Sequence, residues 1–255
     1  MAKSSKVDQA MIDELKKLFP DDIDESNQDI TQEIEIQEPK VKPNFESINF
    51  RNINEIYLIP CSKRKNHEGD LISSVYNLSF NQTLGNCRET LIRLYERKYG
   101  PLNWKNCLPA YERYTGIIYS EEVRLSLSLN NNQVLIVSAL FGVIRPSDLI
   151  PDYNLKMDEF LNGIMISNFW KNNYETCESC ILNKVLKTIK HIQPNIIFIN
   201  LLSKPYQNAF CDFKKGTHSP QMNYIPDLID APKENEINLK DKYGHYKRGY
   251  LLKRI

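Results

Sequence analysis

The residues best suited to chemistry fall in two clusters. The first is Pro60-Cys61-Ser62-Lys63-Arg64-Lys65-Asn66-His67. Three adjacent cations repel one another. In a partly desolvated turn that repulsion lowers a lysine pKa and frees a neutral amine to act as a nucleophile. In an exposed turn the same cations stay charged and either clamp phosphate or simply face solvent. Lys63 and Lys65 are both candidate nucleophiles, with Ser62 beside them as a substrate contact. Cys61 reads as a packed thiol, because no Cys-His-Asn order marks it as a nucleophile. The second cluster runs through Ser138-Ala139-Leu140-Phe141-Gly142, Arg145-Pro146-Ser147-Asp148 and Pro151-Asp152-Tyr153. Asp148 is its candidate acid/base, and Arg145 its candidate holder of a phosphate or carbonyl oxygen. The alternative is that Arg145 and Asp148 only pair to stiffen an exposed loop.

Chemistry at these positions requires strands to deliver them. Glu55 to Ile59 leads into the first cluster, and the apolar run Val134 to Val137 leads into the second. A third apolar run, Asn195 to Asn200, ends in Asn200, Ser203, Lys204 and Tyr206. Continuous apolar strands separated by helical stretches imply an α/β fold with a mostly parallel central sheet flanked by helices. Ligands of such sheets bind outside the carboxyl ends of the strands. The expectation is therefore one edge that gathers Lys63, Arg145 and Asn200. Between the strands, Cys87 to Tyr99 reads as an amphipathic helix with Leu91, Leu94 and Tyr95 inward. Arg88, Arg93, Arg97 and Lys98 make its basic face, and Gly100-Pro101 ends it. That face is either solvated or laid along a nucleic-acid backbone. Tyr111, Tyr114 and Tyr119 are core aromatics or base-stacking platforms. A helix capped by Asp158 is expected through Phe160, Ile164, Met165, Phe169 and Trp170. Another is expected near Glu175 to His191, with Cys177 and Cys180 on one face.

Composition bounds the rest. The chain has 255 residues, 41% hydrophobic, with a net charge of +1. Residues 1–45 hold eleven Asp/Glu and six Lys, so the remainder is mildly basic. The first 45 residues read as an acidic tail or linker. A short apolar stripe at residues 7–19 is suited to docking on the body or on another protein, or is incidental. Residues 46–255 read as a single α/β domain. Neither G-x-G-x-x-G nor G-x-x-x-x-G-K-[ST] occurs, which argues against a Rossmann or P-loop nucleotide site. No run of 18 apolar residues occurs and no apolar signal core opens the chain, so a cytoplasmic protein without a membrane span is expected. Six scattered cysteines fit reduced thiols, and Cys177-x-x-Cys180 lacks a second pair for zinc. No metal or cofactor is expected. The tail around Lys247 and Arg248 is basic and aromatic, equally a solvated terminus or a nucleic-acid contact.

The block from Val137 to Met157 resembles the signature of the YaaA family, the cytoplasmic peroxide-stress proteins. Ser138, Phe141, Gly142, Arg145, Pro146, Asp148, Leu149, Tyr153, Leu155 and Met157 fall on its pattern. Tyr114-Thr115-Gly116 resembles an upstream family motif, and Phe169-Trp170, Ile199-Asn200-Leu201, Ser203 and Tyr206 resemble downstream ones. The family's serine-proline-alanine-lysine turn is replaced by Pro60-Cys61-Ser62-Lys63, in which Lys63 takes the family lysine's place. The turn is also similar to the proline-cysteine-serine-x-x-lysine motif of archaeosine synthase, whose lysine falls on Lys65. The resemblance implies a YaaA-like fold with Ser62, Tyr114, Thr115, Gly116, Ser138, Phe141, Gly142, Arg145, Tyr153 and Asn200 as substrate-binding positions. It further implies association with DNA and protection in oxidative stress. A glycine-apolar-glycine hairpin is missing, and the acidic extension is absent from the usual family pattern. The alternative reading is a lysine-dependent enzyme acting on a nucleobase or nucleoside. A third is a subunit that docks through residues 7–19.

Overall fold

The computed structural model describes residues 53–172, 174 and 177–211, and the backbone of residues 228–230. The acidic N-terminal stretch with its stripe at residues 7–19 lies outside the described residues, as do Lys247 and Arg248. In chain order the elements are β1 (Glu55–Pro60), α1 (Asn81–Tyr99), β2 (Cys107–Pro109), α2 (Ala110–Arg113), α3 (Glu121–Leu129), β3 (Val134–Ser138) and β4 (Gly142–Ile144). Then come β5 (Leu149–Pro151), β6 (Phe160–Leu161), β7 (Ile164–Met165), α4 (Ile166–Lys171), α5 (Ile181–Ile192), β8 (Ile197–Asn200), α6 (Lys204–Gln207) and β9 (Leu228–Asp230).

The three apolar runs form the middle of one sheet, ordered β4-β3-β1-β8-β9. β1 pairs in parallel with β3 on one side, Pro60 opposite Val137, and with β8 on the other, Leu58 opposite Asn200. Pro60, Ser138 and Asn200 therefore end at one edge. Every residue of β3 is buried, as a strand covered on both faces requires. Helices flank the sheet, with α1 packed on α5. Only β4 runs antiparallel, folding back on β3 so that Ile144 lies opposite Ile136. Gly142 makes that reversal possible. Its φ is +66°, and a Cβ there would stand 3.1 Å from the Trp170 ring. Trp170 is fully buried, and its Nε1–H donates to the Ala139 carbonyl at 2.8 Å.

Three expectations are corrected. Residues 160–165 do not begin a helix. They form the β6–β7 hairpin, turned by Asn162 and Gly163 at φ 49° and 76°. Asn-Gly is the strongest short hairpin signal, and the apolar periodicity around it concealed it. The helix is confined to residues 166–171. Four of the six cysteines are also not thiols. Cys87 is joined to Cys177 and Cys180 to Cys211, leaving Cys61 and Cys107 free. Cys177 and Cys180 precede α5 and do not share a helical face. Each faces a partner far away in sequence, 90 and 31 residues off, a proximity that spacing cannot reveal. Finally, Arg88 leaves the basic face of α1 and is fully buried. It lies on the stripe Leu84, Cys87, Leu91, Leu94 and Tyr95, at the i, i+3, i+4, i+7 positions that face the sheet.

Candidate functional site

The turn after β1 separates its three cations. Lys63 and Arg64 are exposed, whereas Lys65 is 7% exposed. The separation begins where residues 64–66 pair with residues 113–115. Thr115 N–H donates to Arg64 O and Asn66 N–H to Arg113 O, and Lys65 bridges Tyr114. That pairing folds the Lys65 side chain inward. Its Nζ lies 4.1 Å from the Tyr153 ring centroid and 5.7 Å from that of Tyr114. The ammonium donates to the Ser62 carbonyl at 3.1 Å and, at 3.5 Å, to that of Lys63. Among the described residues no carboxylate lies within salt-bridge distance of it. Burial lowers the Lys65 pKa below the ordinary lysine value. The charges of Cys61 and Asp152 pull it back up, and Arg113 pushes it further down. Part of the ammonium's lost hydration is replaced by the two ring faces.

The surroundings of Lys65 are tightly specified. Tyr114 and Tyr153 share a hydrogen bond of 2.9 Å between hydroxyls, and the Ser138 Oγ meets the Tyr153 hydroxyl at 2.8 Å. The Phe141 N–H donates to Ser138 Oγ, and the Phe141 ring meets Tyr153 edge-on at 5.2 Å. Burial pushes both tyrosine hydroxyls well above their ordinary pKa, so they stay neutral. Tyr119 donates to the Pro60 carbonyl at 2.7 Å, and the Tyr206 hydroxyl lies 3.2 Å from the Cys61 thiol. Gly116 passes so close to Ser62 that a Cβ would stand 2.2 Å from its Oγ. Arg113 pins the outer loop from within. Fully buried, it donates to the carbonyls of Asn66, Glu68, Asn106 and Ile150. On that loop His67 Nδ1 lies 2.6 Å from an Asp152 carboxylate oxygen.

Of the residues singled out in the sequence, Ser62, Lys65, Tyr114, Thr115, Gly116, Ser138, Phe141 and Tyr153 gather in this region. Asn200 reaches the same sheet edge, where its Oδ1 accepts the Leu202 N–H. Lys63 borders the site from solvent. The β4 reversal carries Arg145 and Asp148 away from it. Arg145 is drawn back along β3, and its guanidinium meets Asn132, ahead of that strand's first residue. Asp148 is buried and accepts from Ser79 Oγ at 2.6 Å, Ser79 N–H at 3.1 Å and Arg145 N–H at 3.0 Å. Its burial raises the carboxyl pKa, and those donors together with Arg88 oppose the rise. Arg88 fills the rest of that region, donating to the carbonyls of Phe141, Val143 and Ser79, and burial lowers its pKa to about 10. The exposed cations of α1 are Arg93, Arg97 and Lys98. Asp152, His67 and Arg113 had no assigned part in the sequence reading. The one available signal was that Asp152 precedes Tyr153 and His67 ends the basic turn.

Among the described residues no group of three His, Cys, Asp or Glu side chains could hold a metal ion. None of their helices is long and apolar enough to cross a membrane. Parallel strand ends, with a buried lysine beside them that has no carboxylate at salt-bridge distance among the described residues, describe an α/β protein with a candidate site at its sheet edge. The family model of the peroxide stress protein YaaA matches residues 56–253, and the chain belongs to that family. It is similar to a UPF0246 protein of Rickettsia peacockii (28% identical over 146 residues, 54% of this chain and 56% of the relative). A UPF0246 protein of Flavobacterium psychrophilum is 29% identical over 160 residues, 61% of this chain and 59% of the relative. One from Rickettsia bellii is 25% identical over 172 residues, 65% of each. The matched stretch thus spans just over half to about two thirds of these relatives.

Proposed function

We propose that this protein acts on nucleic acid during peroxide stress, and that Lys65 is its reactive group toward a damaged or modified nucleobase or nucleoside. One observation carries the reading: a lysine 7% exposed, with its pKa lowered by burial and no carboxylate at salt-bridge distance among the described residues. At the ordinary lysine pKa of about 10.4, only about one amine in two thousand is neutral near pH 7. Burial raises that fraction, and a neutral amine attacks electrophilic carbon. The buried Tyr153 and Tyr114 rings lie against the ammonium, at 4.1 and 5.7 Å to their centroids, and hold the amine in place. Lys63 and Arg64 remain in solvent, where a phosphate is met. The test is borohydride trapping on an oligonucleotide carrying abasic sites, read by mass spectrometry. An adduct on Lys65, lost in Lys65→Met, is expected. An adduct confined to other lysines, or none, overturns the reading.

A non-catalytic reading, DNA binding by the outer face of α1, is favoured by the exposure of Arg93, Arg97 and Lys98 along one side of the helix. It expects affinity to fall with salt at a log–log slope of about −0.9 per phosphate contact. Changing all three residues to Ala then flattens that slope in anisotropy titrations. An unchanged isotherm removes this face from the interface. We also place the protein in the cytoplasm. Cystines are uncommon there, but a protein that meets peroxide meets an oxidant able to join two thiols.

A further inference from the structure

The Lys65 reading leaves a proton unaccounted for. An amine that attacks carbonyl carbon must shed a proton, and the resulting hydroxyl must gain one before it leaves as water. Asp148, the acid/base expected from sequence, is held by Ser79 and the Arg145 N–H, and the β4 reversal has carried it away. A different carboxylate stands by Lys65. The dipeptide Asp152-Tyr153 touches both members of the pair Lys65 and His67. The Tyr153 ring lies 4.1 Å from the Lys65 amine, and the Asp152 carboxylate lies 2.6 Å from His67 Nδ1. Lys65 and His67 are two apart on the segment that bridges Tyr114.

We propose that His67 is the proton carrier of the Lys65 site and that Asp152 is the positioning residue that holds its imidazole. This rests on the reactivity of Lys65. The carboxylate accepts the Nδ1–H and thereby presents Nε2 as the base, the arrangement in which a carboxylate orients a histidine. In the step, the Lys65 lone pair attacks an aldehyde carbon and the carbonyl π electrons move to oxygen. Nε2 carries one proton from the nitrogen to the alkoxide, which becomes a hydroxyl, and then the second nitrogen proton to that hydroxyl, which leaves as water. Amine plus aldehyde thus yields imine plus water, and the imidazole ends as it began. Arg113 braces the stage. It donates to the carbonyls of Asn66 and Glu68, on either side of His67, and to that of Ile150, two residues before Asp152. The charges around the pair are those of Lys65 and Arg113 within, and Lys63, Arg64, Glu68 and Asp70 on the same turn. His67 is mostly solvent-exposed and Asp152 about a third so, which leaves both open to substitution without harm to the core.

The experiment uses the full chain with glycolaldehyde and cyanoborohydride, following alkylation of Lys65 and of exposed Lys63 by peptide mass spectrometry across pH 5–9. In the wild type Lys65 is expected to react faster than Lys63. His67→Gln and Asp152→Asn are each expected to slow Lys65 by about tenfold or more and flatten its pH profile, with Lys63 unchanged. Added imidazole should restore the rate in His67→Ala. If Lys65 outpaces Lys63 equally in the wild type and both variants, the pair is not its acid–base partner, while the lysine reading stands. If Lys65 never outpaces Lys63, both fail.

Discussion

Three cations, Lys65, Arg88 and Arg113, are buried among the described residues, and the surroundings of Arg88 and Lys65 differ most. Each nitrogen of Arg88 donates to a carbonyl oxygen, of Phe141, Val143, Ser79 or, at 3.5 Å, Leu78, and the charge of Asp148 acts on it. Lys65 has two backbone carbonyls, two tyrosine faces and no carboxylate at salt-bridge distance among the described residues. A guanidinium bonded at every nitrogen ties elements together. An incompletely compensated amine is pushed toward its neutral form. Burial lowers the pKa of both, and Arg88 differs in the four carbonyl bonds and the Asp148 charge that oppose the loss. The contrast divides the sequence signature between two duties, with Arg145 and Asp148 on the Arg88 side and Ser138 and Tyr153 on the Lys65 side.

The contrast breaks first at Arg88. Arg88→Met is expected to cost about 3–5 kcal/mol, because it strands the Asp148 carboxylate and leaves buried carbonyls without donors. Chemical denaturation measures this, and a loss under about 1 kcal/mol would show that the region is not the structural one. Next is the disulfide that staples α1 to the approach of α5. Cys87→Ser should cost about 2–4 kcal/mol under oxidising conditions and nothing once the protein is reduced. Equal stability of variant and wild type in both conditions would remove the staple from the account. Gly116→Ala follows, at about 1–3 kcal/mol, since its Cβ meets Ser62 Oγ at 2.2 Å. It should also slow modification of Lys65 by displacing the turn that holds it.

The smallest effect is the most diagnostic. Lys65→Met should change stability by less than about 1 kcal/mol near neutral pH, since removing a poorly compensated buried charge is nearly neutral or favourable. Its pH dependence has a definite sign. The native Lys65 pKa lies below the unfolded value of about 10.4, so the unfolded chain holds more protons between the two values. The wild type should therefore gain stability relative to Lys65→Met as pH rises through that window. It should show a constant difference below the native pKa and above the unfolded one. A wild type that loses ground as pH rises would mean that Lys65 is stabilised as a cation, which would erase the contrast with Arg88.

Much of this fold was legible in the chain itself. The runs at Ile56, Leu135 and Ile197 are apolar without interruption, and a strand covered on both faces requires that. Their order, the polar residues at their ends and the signature from Ser138 to Met157 depend on sequence alone. Arg88 was legible too, had its place on the apolar stripe of α1 outweighed its charge. Asn162-Gly163 likewise carried its own turn signal. What the tertiary structure decided was burial and partnership. Lys63 and Lys65 lie two apart in one basic turn, and nothing local to that turn separates them. Pairing with residues 113–115 buries only Lys65, and those residues lie some fifty positions away. The reversal at Gly142 sent Arg145 and Asp148 from the edge that their strand pointed to, and β5 brought back Asp152 and Tyr153 in their place. Cysteine pairing had the same character, because a disulfide depends on distance in space and the partners were 90 and 31 residues apart. Local pattern specifies which segments are strands and helices. Which charge loses its water depends on what the rest of the chain lays over it.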